Sequence, residues 1–408
     1  MQILDTTQQQ MFALLRSSLW GVDKFPVQIL EDVDWEAVYS ELRDQTVNHI
    51  VADVFCPMNT PVSQKCLMDT TYGIAVWYKL MTVQKTIHEI LAQNNIKYTI
   101  LKGATACINY PKPTYRSMGD IDILVAPQNY EKTIDILAGT GFNKDEKVGD
   151  RHTQLFQDGV EVEVHRYYSV LADKEAFDYF ENELLVGLEN TIEVQIEGFK
   201  FNMLQPMETG LVLLEHIDHH LHSGIGLRQI IDWMMYVDKY LSDEVWYETF
   251  VERAKKIGLD TMAIVITRMC QMYLGLREDI TWCKEADEQL CSDLMRITMD
   301  RGNFGRKYKS AREISTVLHA VSGMKGTLRM LQYRGTVNWK TLEKHPWLTP
   351  FAWVYQICRY IRKGLKIKNP FKSLIKQAKA TSEQKEVFSK MGATSKSEGI
   401  ETPFGKQY

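Results

Sequence analysis

The chain has 408 residues, more than one hydrophobic core usually accommodates, so we expect at least two domains. Hydrophobic residues make up 45 % and charged residues 25 %, which is typical of folded globular proteins and excludes a fibrous or wholly disordered chain. A formal net charge of -4 argues against a surface organised entirely around nucleic acid.

The cysteines and the first residues indicate the compartment. The seven cysteines are scattered and form no CxxC pair, so we expect neither a zinc ribbon nor a disulfide framework. The first ten residues lack the basic and then apolar pattern of a secretory signal, and no apolar run reaches the roughly 20 residues that span a bilayer. A cytoplasmic protein without a transmembrane segment is expected.

The N-terminal quarter of the chain is predicted to be helical. Apolar residues recur at three- and four-residue spacing from Gln8 to Ile96, and Asn94-Asn95 marks the end of the last helix. We therefore expect residues 1–95 to form a helical region that packs on the core following it.

A strand, a sharp turn and a short helix are predicted next. The segment Lys97–Leu101 is short, apolar and contains β-branched residues, and the glycine of Lys102-Gly103 permits a sharp turn. A helix is expected from Ala104 to Tyr110. Backbone N–H groups at such a turn can hold a phosphate together with the lysine ammonium, so both turn residues are candidate ligand contacts.

Two aspartates then occupy alternate positions of a predicted strand. In Asp120-Ile-Asp-Ile-Leu-Val125 the acidic residues alternate with apolar ones, which places both carboxylates on one face, about 6.5 to 7 Å apart at the backbone. Asp120 and Asp122 could therefore share a divalent ion, and hard cations such as Mg²⁺ take carboxylate oxygens. Arg116 lies in the approach loop and could add positive charge. A solvated strand edge is the alternative.

Several short strands are predicted downstream, after a helix at Gln128–Gly139. Asp158-Gly159 is a strong hairpin signal between two of them. In the strand after this turn the valines share one face, whereas Glu161, Glu163 and His165 share the other. A strand of this kind beside the first would bring a third carboxylate to the two aspartates.

The remainder of the chain is predicted to be helical and then basic. A helical domain is expected over residues 205–357, and a basic, flexible tail over residues 358–408, with a possible weak contact to an anionic surface. Within the helical domain Arg228 and Asp232 lie one helical turn apart. They could form a simple ion pair or contact a substrate.

A histidine-rich helix admits a second interpretation. His216 and His220 lie one turn apart on one helix face, as do Asp218 and His222. The HExxH pattern of zinc peptidases is absent, so a metal hydrolase is the weaker alternative. A helix that packs beside a cleft, with one histidine facing the ligand, is the stronger one.

These segments together resemble a known family. The residues that carry the resemblance are Leu101-Lys-Gly-Ala, Tyr110-Pro, Arg116, Gly119-Asp-Ile-Asp-Ile-Leu-Val125 and Glu163-Val-His165. They are similar to the uncharacterised nucleotidyltransferase family of the polymerase-β superfamily. The resemblance is strong over roughly Ile96 to Tyr167 and extends more weakly to about Lys239.

The resemblance implies an α+β fold: a small mixed sheet core (residues 96–204) flanked by helices, with a helical N-terminal segment and a helical C-terminal domain. It implies two metal ions on three acidic residues and transfer of a nucleoside monophosphate from an NTP to a hydroxyl, an activity of EC 2.7.7 type. Mg²⁺ or Mn²⁺ would be the metal and ATP the expected donor.

Carried over residue by residue, Asp120 and Asp122 are the first two metal ligands and catalytic residues, and Glu163 is the third. Glu161 competes for the third position, but the family places the acid two residues before a histidine. The nucleotide-binding residues would be the turn and loop residues Lys102, Gly103 and Arg116.

The resemblance leaves the acceptor open: a small molecule, a protein hydroxyl or a tRNA end would all serve. The turn reads Lys102-Gly103-Ala104 where the superfamily commonly has a glycine-serine pair. A non-catalytic nucleotide-binding or toxin-antitoxin type interaction module with the same fold is therefore the alternative function.

Overall fold

The computed structural model describes residues 4–148, 151–308 and shorter stretches towards the C-terminus, namely 331–332, 335–336, 339–343, 345–364, 383–384, 386–392, 401–402 and 405–406. Most of the tail expected at residues 358–408 lies outside the described residues, and so does the basic stretch after Gly364. Within the described part of the chain, no helix is both long and apolar enough to cross a membrane.

The protein has the mixed α+β architecture that the sequence predicts. The α-helices are α1 (Thr6–Trp20), α2 (Trp35–Asp44), α3 (Ala52–Phe55), α4 (Ser63–Gln93), α5 (Ala104–Cys107), α6 (Tyr130–Gly139), α7 (Lys174–Glu189), α8 (Pro206–Gly224), α9 (Leu227–Tyr240), α10 (Asp243–Val245), α11 (Val251–Lys256), α12 (Asp260–Leu274), α13 (Glu288–Arg301) and α14 (Ala352–Gly364). The strands of the main sheet are β1 (Tyr98–Ile100), β2 (Asp120–Val125), β3 (Asn143–Val148), β4 (His152–Gln157), β5 (Val160–His165), β6 (Ile192–Ile196) and β7 (Phe199–Met203).

The seven strands form one mixed sheet in the order β3-β4-β5-β2-β1-β7-β6. Strands β2 and β5 are parallel neighbours, β1 is antiparallel to β2, and β4 is antiparallel to β5. The β4–β5 hairpin turns at Asp158 and Gly159, both of which have positive φ, 52° and 73°. Two positive φ values are those of a type I′ turn, so the predicted hairpin is confirmed.

The two faces of the central strands have different neighbours. The apolar face, including Ile121, Ile123 and Val162, is buried in one core together with the long helix α4 and with α6. The opposite face carries the acidic residues of β2 and β5. Leu124 of that face belongs to the second core, which the helical half of the chain supplies. The acidic face of the sheet is therefore on the side that packs against the helical half of the chain.

The N-terminal helices are divided between these two cores. Residues of α1 to α3 are buried with α8 to α13, whereas the second half of α4 covers the sheet. Specific contacts fix the first group: Trp20 donates to the carbonyl of Leu274 (2.7 Å), and the side chain of Gln45 accepts from the backbone N–H of Leu227 (3.0 Å). The second contact anchors the first turn of α9, which borders the acidic face.

Candidate functional site

The turn between β1 and α5 has the backbone geometry that the sequence predicts. Gly103 has a φ of +74°, a conformation that L side chains rarely adopt. A Cβ at this position would meet only ordinary contacts, 3.5 Å to Met118 Sδ and 3.8 Å to the carbonyl of Asp120. The backbone angle, and not lack of space, is therefore what requires glycine. The turn directs the preceding Lys102 towards β2.

Four carboxylates lie on the acidic face. Asp122 is directly opposite Glu163 in the parallel β2–β5 pair, and Asp120 is opposite Glu161, so the four side chains project from one face. The side chain of Asp122 is only 1 % exposed, that of Glu163 is 17 % exposed and that of Asp120 is 41 % exposed. This set of acidic residues therefore extends from a buried aspartate, Asp122, to a solvent-accessible one, Asp120.

Lys102 bridges the two aspartates. Its Nζ lies 3.2 Å from Asp122 Oδ2 and 4.0 Å from Asp120 Oδ2. Burial by itself would lower the pKa of Lys102, but the charges of Asp122, Asp120 and Glu163 outweigh it and raise that pKa. The negative charge of Asp122, followed by burial, raises the pKa of Asp120. Three carboxylates against one ammonium leave negative charge uncompensated, and this donor set fits a divalent cation.

Glu163 is linked to Asp122 through His165, whereas no such link is found for its neighbour Glu161 among the described residues. Its Oε2 lies 3.2 Å from Nε2 of His165, and that same nitrogen lies 3.0 Å from Asp122 Oδ1. Burial would raise the pKa of Glu163, but the His165 hydrogen bond and the charges of His165, His152 and Lys102 lower it. Burial and then the charge of Glu163 raise the pKa of Glu161, whose Oε1 accepts from Gln154.

His152 is not among the residues predicted for the site, but it adjoins the same carboxylate. Its Nε2 lies 3.7 Å from Glu163 Oε1, and its ring is 5.1 Å from that of His165. The hairpin places the two histidines directly opposite each other. Among the described residues, His152, Glu163 and His165 form the one group of at least three potential ligands whose donor atoms lie within 4.8 Å of one another.

Arg116 is not placed to contact a nucleotide. It is 4 % exposed, and its guanidinium forms a two-point ion pair with Asp232 on α9, Nε to Oδ1 at 3.0 Å and Nη2 to Oδ2 at 2.5 Å. Tyr110 donates to the same carboxylate at 2.7 Å. The predicted phosphate contact of Arg116 gains no support from this geometry, because Nε and Nη2 bind Asp232 and Nη1 donates to the carbonyl of Ser117.

Arg228 is the cation that α9 contributes to the site. Its Nη1 donates to the carbonyl of Ser117 (3.2 Å), and its Nε is buried without a hydrogen-bond partner among the described residues. Burial, followed by the charge of Arg116, lowers the pKa of Arg228 to about 10, and the charges of Asp232 and then Asp120 act in the opposite direction. Asp232 is paired with Arg116, and it acts on Arg228 through its charge without a direct Arg228–Asp232 ion pair among the described residues.

The histidine-rich segment lies on α8. His216 is 5 % exposed, and burial, followed by the charge of Lys102, lowers its pKa well below the usual value, so its ring is neutral. Its ring contacts that of His220 at 4.7 Å, edge to face. The side chain of His222 lies outside the described residues. Within the described part of the chain, these histidines do not form a group of three potential metal ligands, so the hydrolase alternative gains no support.

Comparisons with known proteins agree with the resemblance. The model of a family described as uncharacterised nucleotidyltransferase matches residues 31–275, which is more than half of the chain. No curated protein matches. A solved structure, that of an antigenic nucleotidyltransferase-like protein from Paracoccidioides brasiliensis, is 18 % identical and covers 50 % of this chain and 94 % of its own, with a TM-score of 0.33. A likeness at that TM-score is loose.

Proposed function

Since the chain belongs to the uncharacterised nucleotidyltransferase family, we propose that it transfers a nucleoside monophosphate from a nucleoside triphosphate to a hydroxyl group of an acceptor. One observation carries the proposal: Asp120, Asp122 and Glu163 share one face of adjacent parallel strands, and Lys102 lies against the first two. ATP is the expected donor and Mg²⁺ or Mn²⁺ the expected metal.

The three carboxylates are the groups that would hold the metal. A divalent ion there would neutralise the phosphates and align the attacking hydroxyl. The lowered pKa of Glu163 keeps this carboxylate ionised at neutral pH, which a metal ligand requires. Buried Asp122 is held in place by Lys102 and His165, and a metal ion there would take the place of the Lys102 ammonium at Asp122.

The cations around the carboxylates would bind the phosphates. Lys102 is the nearer of the two, at the turn formed by Gly103, and Arg228 approaches from α9. We assign to Arg228 the role that the sequence suggests for Arg116. Its unpartnered Nε and its planar guanidinium suit two-point contact with a phosphate. The alternative, a non-catalytic binding module, would bind nucleotide through the same residues without transferring any part of it.

The Lys102→Met variant is expected to have two opposite effects. Metal affinity in the absence of nucleotide should rise, because the ammonium that competes for Asp120 and Asp122 is removed, and nucleotide affinity in the presence of metal should fall by about tenfold, or ~1.4 kcal/mol. Calorimetric titration with Mn²⁺ and then with ATP measures both. Lys97→Met, an exposed change immediately before β1, is the control. A parallel loss of both affinities would contradict the idea that Lys102 competes with the metal ion for the two aspartates.

Arg228→Gln tests the second cation. We expect the affinity for nucleotide with metal present to fall by about tenfold, since one charged donor is lost. Metal affinity without nucleotide should change by no more than a few-fold, because Arg228 acts on Asp120 only through its charge and forms no ion pair with a carboxylate in the described structure. Lys239→Gln, an exposed change on the same helix, controls for general effects of charge. Unaltered nucleotide binding in Arg228→Gln would remove Arg228 from the proposed site.

A further inference from the structure

We propose that His152, Glu163 and His165 form a second cation site, which takes a divalent transition metal ion such as Zn²⁺. It lies beside the Asp120–Asp122 carboxylates, shares Glu163 with the metal set proposed above, and uses the His165 nitrogen that contacts Asp122. The inference goes beyond the proposed function, because it requires three side chains of one hairpin and no nucleotide.

The hairpin itself brings the three ligands together. His152 is directly opposite His165, and Gln154 is directly opposite Glu163, so all four side chains project from the same face of β4 and β5. The tight Asp158-Gly159 turn fixes this register. The ligands therefore come from hydrogen-bonded strands, which hold a coordination geometry better than loops do.

The donor atoms lie near one another, with each histidine facing a different oxygen of Glu163. Nε2 of His152 is 3.7 Å from Glu163 Oε1, and Nε2 of His165 is 3.2 Å from Glu163 Oε2. With metal–ligand bonds of about 2.0 to 2.2 Å, neighbouring ligand atoms of a tetrahedral site stand roughly 3.4 Å apart. A small shift of each side chain would place an ion between the three donors.

The donor types select the class of metal. Two imidazoles and one carboxylate are the set that Zn²⁺ and similar transition metals accept, whereas Mg²⁺ takes oxygen ligands. Three protein ligands leave a fourth position open, as in catalytic zinc sites. The amide of Gln154 donates to Glu163 Oε1 at 3.3 Å and so orients the shared carboxylate from outside the shell.

Cobalt spectroscopy tests the site without any activity measurement. We would strip the full-length protein of metal, titrate it with Co²⁺, and record the visible absorption, which is intense for tetrahedral and weak for octahedral Co²⁺. The expected result is one equivalent of tetrahedral Co²⁺ that Zn²⁺ displaces. An octahedral spectrum, or no binding, in the wild-type protein overturns the proposal. The three side chains would then be in contact only because they form hydrogen bonds with one another.

Two variants locate the ion. His152→Asn should weaken Co²⁺ binding by at least about tenfold and remove the tetrahedral bands, because one of the three ligands is lost. Asp120→Asn should retain the bands. The same proteins separate this inference from the proposed function: Mg²⁺-dependent nucleotide binding should survive in His152→Asn and disappear in Asp120→Asn. Tetrahedral bands that persist in His152→Asn would overturn the assignment.

Discussion

The Asp122→Asn variant is expected to lose metal-dependent nucleotide binding, and with it any transfer activity, by at least about a hundredfold, or ~2.7 kcal/mol. Asparagine preserves the volume of a side chain that is 1 % exposed but removes the charge at the centre of the site. The fold should survive, because Lys102 retains Asp120 as a partner and one of three mutually repelling carboxylates is neutralised. Calorimetry gives the affinity, and circular dichroism verifies the fold.

Glu161→Gln is the matched control for this variant. It removes a carboxylate from the same face of the sheet, but one that accepts from Gln154 and makes no ion pair with Lys102 in the described structure. Metal-dependent nucleotide binding should therefore be retained within a few-fold. If Glu161→Gln abolished binding and Glu163→Gln did not, the third carboxylate would have to be reassigned from Glu163 to Glu161.

The Asp232→Asn variant is expected to show the largest effect on stability, a loss of about 3 to 5 kcal/mol in the free energy of unfolding. Asp232 is 1 % exposed and neutralises the buried guanidinium of Arg116, so its loss leaves a buried charge without a counter-ion. Burial would lower the pKa of Arg116, but the charge of Asp232 and its hydrogen bonds raise it. Urea unfolding followed by tryptophan fluorescence measures the change, and neighbouring Trp233 is a buried reporter.

The double variant Arg116→Met/Asp232→Asn separates charge from packing. It removes both charges, and the asparagine still offers Tyr110 an acceptor, so most of the lost stability should return. An effect of Asp232→Asn below about 1 kcal/mol, the range of exposed ion pairs, would mean that this pair contributes no more than a surface contact. The pair links α9 to the loop before β2, so it also positions Arg228.

Local patterns were sufficient to predict the acidic face. The alternation in β2 placed both aspartates on one side, and the alternation in β5 did the same for Glu163 and His165. These patterns depend only on the two-residue period of a strand. That β2 and β5 are parallel neighbours, with Asp122 opposite Glu163, could not be predicted, since strand periodicity says nothing about which strands pair and the family resemblance implied only a third carboxylate.

The place of His152 could have been derived from the sequence. A two-residue turn at Asp158-Gly159 pairs the residue before it with the residue after it, and counting outwards brings His152 opposite His165. The register that this turn fixes extends to the far end of both strands, and it adds an imidazole to the candidate ligands.

The partner of Arg116 could not have been predicted in this way. The two ends of its ion pair are 116 residues apart in sequence, and only the packing of α9 against the turn before β2 brings them together. An arginine in a loop beside two aspartates resembles a phosphate ligand when its distant partner is unknown. The same packing decides the roles on α9, where Asp232 is withdrawn into the core and Arg228 remains near the carboxylates.

The most direct test of the central claim is calorimetric titration of ATP, GTP, CTP and UTP in the presence of Mg²⁺ or Mn²⁺. The wild-type protein and the Asp120→Asn/Asp122→Asn double variant would be compared. The account predicts that the wild type binds at least one triphosphate only when metal is present, and that the double variant does not bind it. Binding of no triphosphate by the wild type, or equal binding by both proteins, would contradict the account.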